Sequence, residues 1–182
     1  MRRRWRHIAA IALVSLCAVT GATPSAAALE ASEATIKAAF LYKFGFFIEW
    51  PESAFAASDS PINLCVVGAD PFGTVLDETV KGKKIGNRPI SLHRAGALSP
   101  DLQCHIVYLS EGAASQSLPA LRKSDVLTVT DVSGGADHVG IINFVIKDKR
   151  VRFDIDDAAA ASVGLTISSR LLSLALQVKP RH

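Results

Sequence analysis

The chain has 182 residues, with 20 Lys and Arg against 17 Asp and Glu and a formal net charge of +3. Residues 1–28 contain four of the arginines and no acidic side chain, so the rest of the chain has sixteen basic and seventeen acidic residues, a net charge of −1. That remainder, roughly 150 residues, fits a single domain with one core. Its balanced charge leaves no basic footprint of the kind that indicates a nucleic acid or an anionic membrane surface.

Residues 1–28 have the organisation of a cleavable export signal. Four arginines precede an apolar run over residues 8–19, which is too short to span a bilayer, and three alanines follow at residues 26–28. The alternative is an anchor that stays attached, and the short apolar run disfavours it. We therefore expect the mature protein to begin near Leu29 and to work in an oxidising compartment outside the cytoplasm.

Two cysteines, Cys65 and Cys104, remain after the signal. An even pair in an exported chain is most simply a disulfide. Two free thiols are the alternative, and a catalytic pair would more often have the Cys-x-x-Cys spacing, which the sequence lacks.

Apolar periodicity predicts a first helix over residues 31–50, which Pro51 ends because it biases the preceding residue away from helical angles. This helix is rich in aromatic side chains. One interpretation is a core helix packed on a sheet. The other is that the surplus ring surface contacts a partner protein, with Tyr42, Phe46 and Trp50 as candidates.

The middle of the chain alternates between buried strands and helices. Strands are predicted over residues 62–68, 89–94, 104–109 and 126–130. Helices are predicted over residues 70–80, with Asp70 as cap and Pro71 at the first position, and over residues 113–123. Residues 81–88 should form a hairpin or loop. This alternation predicts an α/β fold, a single compact domain with a mainly parallel central sheet.

The C-terminal part follows a different pattern. Residues 140–146 and 150–155 flank a short polar turn and predict an antiparallel hairpin. Asp156 is placed to cap a helix over residues 157–163. Ser168 is placed to cap a last helix, whose apolar stripe would run from Leu171 to Val178.

Acidic side chains follow several predicted strands, where open α/β sheets bind ligands. Asp70, Glu111 and Asp131 could rim a small pocket there, together with Phe72 and Gly73. The glycines around Asp70 lack the spacing of a dinucleotide or phosphate loop, and Asp70 would repel a phosphate. The alternative is a capped turn without a ligand.

Neither a metal site nor a catalytic set is predicted. His93, His105 and His138 are far apart and have no partner at ligand spacing. The serines lack the Gly-x-Ser-x-Gly elbow, and the paired Asp156 and Asp157 are explained as a helix start. We therefore expect a protein that is not an enzyme and binds no cofactor.

A series of segments resembles the YfiR family of periplasmic proteins. They span nearly the whole mature chain and lie at residues 36–44, 47–51, 65–73, 86–90, 104–106, 126–131, 143–145, 151–155 and 164–172. The resemblance implies one YfiR-like domain over residues 29–182, with helices on both faces of the sheet. It also implies that the family's paired cysteines are Cys65 and Cys104.

The function implied by the resemblance is regulation. Family members are similar to a periplasmic repressor that binds the periplasmic region of an inner-membrane diguanylate cyclase, which lowers cyclic-di-GMP signalling and biofilm formation. Another membrane sensor as partner, a small-molecule inducer and a homodimer stay open. The alternative function is a periplasmic small-ligand binding protein that uses the carboxyl ends of the strands.

Overall fold

The structure, a computed structural model, describes residues 26–132 and 139–181. Most of the predicted export signal therefore lies outside the described residues, as does His138. Among the helices that are described, none combines the length and the apolar character needed to cross a membrane.

Five α-helices and ten strands are formed by the described residues. The helices are α1 (Ala26–Phe44), α2 (Thr74–Val80), α3 (Glu111–Leu121), α4 (Asp157–Ser162) and α5 (Ser169–Leu172). The strands are β1 (Ile48–Glu49), β2 (Ile62–Val67), β3 (Lys84–Ile85), β4 (Arg88–Ala95), β5 (Ile106–Leu109), β6 (Leu127–Thr130), β7 (Ile142–Lys147), β8 (Arg150–Asp156), β9 (Thr166–Ile167) and β10 (Val178–Lys179).

Eight of these strands form one central sheet in the order β10-β8-β7-β6-β5-β2-β4-β3. The run from β4 through β2, β5 and β6 to β7 is parallel throughout. Antiparallel pairs join β7 to β8 and β3 to β4. The predicted fold class is confirmed: a single α/β domain whose mainly parallel sheet carries a C-terminal antiparallel hairpin.

The two faces of the sheet are covered by different helices. Leu64 and Val66 of β2 belong to the larger core, which includes residues of α1 and α2. Cys65 and Val67 alternate with them and belong to a smaller core with Leu118 of α3. This alternation follows the two-residue period of a strand that is buried on both faces. Helices therefore lie on both faces, as the resemblance implied.

The first helix ends earlier than predicted. It stops at Phe44, a 3₁₀ turn follows at Gly45–Phe47, and Ile48–Glu49 forms β1. β1 pairs with β9 in a separate two-stranded sheet, and the backbone N–H of Ser168 donates to the Phe47 carbonyl at 2.9 Å. The prediction over residues 31–50 was wrong at this end because the strand partner lies more than a hundred residues away in the chain.

The helix after β2 begins at Thr74, so the predicted cap at Asp70 was wrong. The Asp70 carboxylate accepts instead from the backbone N–H groups of Phe72 at 2.8 Å and Gly73 at 3.2 Å. These bonds form a turn of the kind that Asp side chains favour. Gly73 then has a φ of +49°, a conformation that interrupts a helix and suits glycine.

The C-terminal hairpin is confirmed, whereas the last helix is shorter than predicted. Asp148 and Lys149, at φ values of 50° and 59°, form the two-residue turn between β7 and β8. Ser168 caps α5 through Arg170, but α5 is a single turn. Val178 lies in β10 beside β8, so the predicted helical stripe through residue 178 was wrong. Pairing with β8 satisfies the backbone there.

Candidate functional site

The carboxyl ends of β2, β5 and β6 bring several of the predicted rim residues together around Tyr108. Tyr108 is the third residue of β5 and is buried. Its ring contacts that of Phe72 edge-on, with 4.8 Å between centroids. Burial raises the pKa of Tyr108 far above its usual range, and the negative charges of Asp131, Asp70 and Glu33 raise it further. Its hydroxyl is therefore a protonated, neutral group.

A buried lysine on α1 completes this end of the sheet. Lys37 is only 5% exposed, and its ammonium donates to the carboxylates of Glu33 and Asp131. Glu33 lies one helical turn before Lys37, whereas Asp131 follows β6. Sequence reasoning missed Lys37, although its i, i+4 spacing from Glu33 was a usable signal. The contact with Asp131 had no local signal because 94 residues separate the two.

Asp70 is held by a second ionic cluster. Arg94 of β4 donates through Nε to the Asp70 carboxylate at 2.7 Å and through both terminal nitrogens to Asp77 of α2. The same guanidinium donates to the Gly73 carbonyl at 2.8 Å. Hydrogen bonding to Arg94 lowers the pKa of Asp77. This cluster ties the loop after β2 to its helix and to the neighbouring strand.

The fifth rim candidate, Glu111, lies apart from the others. It is the exposed first residue of α3, and no hydrogen bond or ion pair joins it to the Tyr108 cluster within the described residues. Its neighbour Ser110 instead accepts from the backbone N–H of Ala69 at 3.1 Å. The structure thus gathers Asp70, Phe72 and Asp131, and the use of any of them by a ligand stays a prediction.

Open clefts lie elsewhere on the surface. One of about 440 Å³ lies between α3 and α4, with Leu118, Ala159 and Val163 in its wall. Another, of about 330 Å³, lies at the opposite end of the sheet and is lined by Phe55, His105 and other residues. Neither is lined by a rim candidate.

The aromatic residues of the first helix divide between core and surface. Phe40 and Phe44 pack against Phe144 and Phe153 with centroid distances of 5.1 to 6.4 Å. The core interpretation therefore holds for that face of α1.

The interface candidates differ in exposure, because Phe46 is exposed whereas Tyr42 and Trp50 are half-buried and pack against the larger core. Phe46 is 50% exposed, and its ring meets that of Tyr42 edge-on at 5.2 Å. The Tyr42 hydroxyl lies 3.5 Å from the Lys84 carbonyl at the edge of the sheet. Trp50 turns away from this pair and packs against Phe55 at 6.3 Å. Tyr42 and Phe46 thus form one aromatic pair, in which Phe46 is exposed and Tyr42 half-buried, and Trp50 belongs to a separate aromatic contact.

Cys65 and Cys104 form a disulfide, with their Cα atoms 5.9 Å apart. Cys65 is fully buried in the smaller core, and Cys104 packs against it. The disulfide expected from the export signal and from the resemblance is therefore present.

Among the described residues, no group of three or more His, Cys, Asp or Glu side chains is arranged to hold a metal ion. His105, one of the histidines considered above, is buried and fully engaged with neighbouring backbone and aromatic groups.

A comparison with protein-family models gives a match to the family described as YfiR/HmsC-like over residues 34–176. The matched range includes both cysteines, Tyr108 and the aromatic pair of Tyr42 and Phe46. No curated protein matches the chain.

Proposed function

The chain belongs to the YfiR/HmsC-like family, and on that basis we propose that it is a periplasmic regulator that inhibits an inner-membrane diguanylate cyclase, or a related membrane sensor, by binding its periplasmic region. The family match over residues 34–176 carries this proposal. The export signal read from residues 1–28 supports it, because it places the mature chain beside such a region.

The roles of the charged side chains agree with binding rather than catalysis. Lys37 pairs with Asp131 and Arg94 pairs with Asp70, so these side chains hold secondary structure together. Phe46 is exposed and its ring rests on the half-buried Tyr42, so the pair offers the kind of aromatic anchor that dominates protein interfaces. We assign this pair to the docking surface for the membrane partner.

Inhibition follows when the regulator binds the inactive state of the sensor more tightly than the active state. A ligand shifts such an equilibrium only by its difference in affinity for the two states. A preference of about 3 kcal/mol would favour the inactive state by roughly a hundredfold.

The first experiment measures cellular cyclic-di-GMP in a clean deletion strain. We expect a rise that the exported protein reverses and that a form lacking residues 2–28 does not. An unchanged level in the deletion strain would contradict the proposal. Reversal by the form without residues 2–28 would contradict action in the periplasm.

The docking surface is tested by truncating one exposed ring. Phe46→Ala should abolish most of the repression, while the exposed position keeps the stability change within roughly 0.5 kcal/mol. Ile36→Ala is the matched control, because Ile36 of α1 is an apolar side chain of similar exposure, at 41%, and lies ten residues before Phe46 of the following 3₁₀ turn. Equal repression by Phe46→Ala and the parent would remove the pair from the interface.

The alternative function, small-ligand binding, is favoured by the cluster around Tyr108. The Asp70 and Asp131 side chains are 21% and 28% exposed near the buried Tyr108, so they offer acceptors to a polar ligand that competes with Arg94 and Lys37. A thermal-shift screen with nucleotides, amino acids and cell-wall fragments tests it, since a tight binder raises the melting temperature. A ligand at this cluster should lose its effect with Asp131→Asn.

A further inference from the structure

The hairpin of β7 and β8 projects beyond the rest of the sheet. The last paired residues of β6 and β7 are Thr130 and Asn143, whereas β7 continues to Lys147. Four further residues at about 3.3 Å each carry the tip roughly 13 Å past the end of β6. In this part of the hairpin β7 has β8 as its strand partner, and the inner face with Phe144 and Val151 is buried in the larger core, whereas residues 146–150 and Arg152 are exposed and form the tip of this two-stranded ribbon.

The tip of this ribbon is strongly basic. It carries four exposed cations, at Lys147, Lys149, Arg150 and Arg152. Within the described residues none of the four takes part in an ion pair. Asp148 is the only acidic residue in residues 144–152. The net charge of residues 29–182 is close to zero and therefore gives no sign of this cluster, because a net charge does not report where the charged side chains lie.

The pairing register adds an energetic argument. Lys147 lies directly opposite Arg150, and like charges at such positions destabilise a strand pair. Ile146 lies on the other face of the ribbon and is 52% exposed. If stability alone had determined this sequence, oppositely charged side chains would face each other across the two strands and the tip would have only polar side chains. The observed tip combines repelling cations with an exposed apolar residue.

We propose that the tip of the β7–β8 hairpin docks this protein on the surface of an anionic phospholipid bilayer. The four cations bind headgroup phosphates, and Ile146 enters the boundary between headgroups and acyl chains. Basic side chains next to a partly buried apolar group are the combination that holds peripheral proteins on such surfaces.

A lipid surface fits the tip better than a protein partner does. A stable protein interface buries about 800 Å² on each side and involves some 20–30 residues. The tip offers fewer than ten residues on a narrow ribbon. A flat lipid surface needs no complementary shape, and the ribbon extends past the carboxylates of Asp131 and Glu111 at the end of the sheet.

Docking of this kind deepens the proposed function, because it would concentrate the regulator beside a membrane-bound partner. Vesicle binding involves no cyclase, however, so the two proposals fail independently. If the protein does not bind vesicles but represses the cyclase, only the docking proposal fails. If it binds vesicles but does not repress the cyclase, only the proposed function fails.

The test is cosedimentation of the mature protein with vesicles of phosphatidylethanolamine and phosphatidylglycerol in a three-to-one ratio. We expect binding at low salt, its loss at high salt, and none to phosphatidylcholine vesicles. Replacing the four tip cations by Gln should weaken binding more than about a hundredfold, since each contributes roughly fivefold. The matched control replaces four other exposed cations, Lys81, Lys83 and Lys84 at and just before the edge strand β3 and Lys43 near the end of α1.

A second variant separates docking from folding. Lys147→Glu turns the repulsive pair with Arg150 into an attractive one, so it should raise Tm by about 1–3 °C. Because it changes the charge by two, it should also weaken vesicle binding by roughly twenty-fivefold. Equal losses with the tip and control variants would overturn the proposal, as would absence of vesicle binding by the parent. If the parent does not bind vesicles but the four-Gln tip variant fails to repress the cyclase, the lipid proposal is wrong and the tip contacts a protein partner instead.

Discussion

His105 has both ring nitrogens committed in a way that requires the neutral imidazole. Nδ1 accepts from the backbone N–H of Asn63 at 3.1 Å, and Nε2 donates to the Ala54 carbonyl at 3.0 Å. The ring stacks on Phe55 with 4.5 Å between centroids, and Arg88 lies 3.6 Å from the Phe55 ring. Burial lowers the pKa of His105 below 6.5, and the charge of Arg88 lowers it further, while the Ala54 carbonyl opposes the shift.

This histidine should make the protein less stable in mildly acidic solution. Below pH 6.5 the unfolded chain binds a proton on His105 that the folded chain does not, so the free energy of unfolding falls as the pH falls. The contribution levels off once the pH passes the folded-state pKa, and its slope is at most about 1.4 kcal/mol per pH unit. Urea denaturation between pH 7.5 and pH 5 measures it.

The variant His105→Gln tests whether His105 causes this dependence of the free energy of unfolding on pH. Its free energy of unfolding should be lower than the parent's at pH 7.5, because both hydrogen bonds and the stacking change. The difference between the two proteins should narrow as the pH falls, since the variant has no proton to bind at this position. A constant difference across the range would assign the pH dependence to the carboxylates.

At the scale of elements, the second half of the first helix contacts the sheet at two points by different means. Past its midpoint, Lys37 bonds Asp131 beyond β6. Near its end, Phe44 packs against Phe144 of β7 and Phe153 of β8. The apolar contacts follow from helical periodicity, so the sequence predicts them. The ionic contact does not follow, because a lysine inside an amphipathic helix is ordinarily placed on the solvated face.

The Lys37–Asp131 pair should respond unequally to loss of either partner. The side chain of Lys37 is 6% exposed and that of Asp131 is 28% exposed. Asp131→Asn leaves a buried ammonium with Glu33 alone and should cost about 2 kcal/mol. Lys37→Met leaves two carboxylates that water still reaches and should cost about 1 kcal/mol.

Chemical denaturation of both variants at neutral pH checks this order. Glu33→Gln is the control, because the Glu33 side chain is 37% exposed and its loss should cost less than about 0.5 kcal/mol. If Lys37→Met lowers the free energy of unfolding more than Asp131→Asn does, then leaving the two carboxylates unpaired is more costly than leaving the buried ammonium with one partner.

Across the whole molecule, the parts predicted from sequence are those fixed by local pattern. The buried runs of β2, β5 and β6 identified a parallel sheet, and Asp70, Phe72 and Asp131 met because parallel strands end at one edge. Two errors, the ends of α1 and α5, arose where strand partners lie far along the chain. Pairing with a distant strand determined where both helices end, and such pairing cannot be predicted from local residue propensities.

The disulfide acts on the whole molecule through the unfolded chain. It joins positions 39 residues apart, and closure of such a loop lowers the entropy of the unfolded state by an amount worth about 4 kcal/mol in the chain-entropy model. Cys65→Ala with Cys104→Ala should therefore reduce the free energy of unfolding by roughly 3–4 kcal/mol, plus a smaller loss from the buried Cys65 side chain.

Reduction of the parent protein separates the two contributions. Because the reduced parent keeps both sulfur atoms in the smaller core, it should lose only the loop-closure part and lie between the oxidised parent and the double variant in urea denaturation. Equal stability of the oxidised and reduced parent would mean that the chain between residues 65 and 104 is already constrained in the unfolded state. The covalent bond itself would then add no stability beyond that of the packed cysteine side chains.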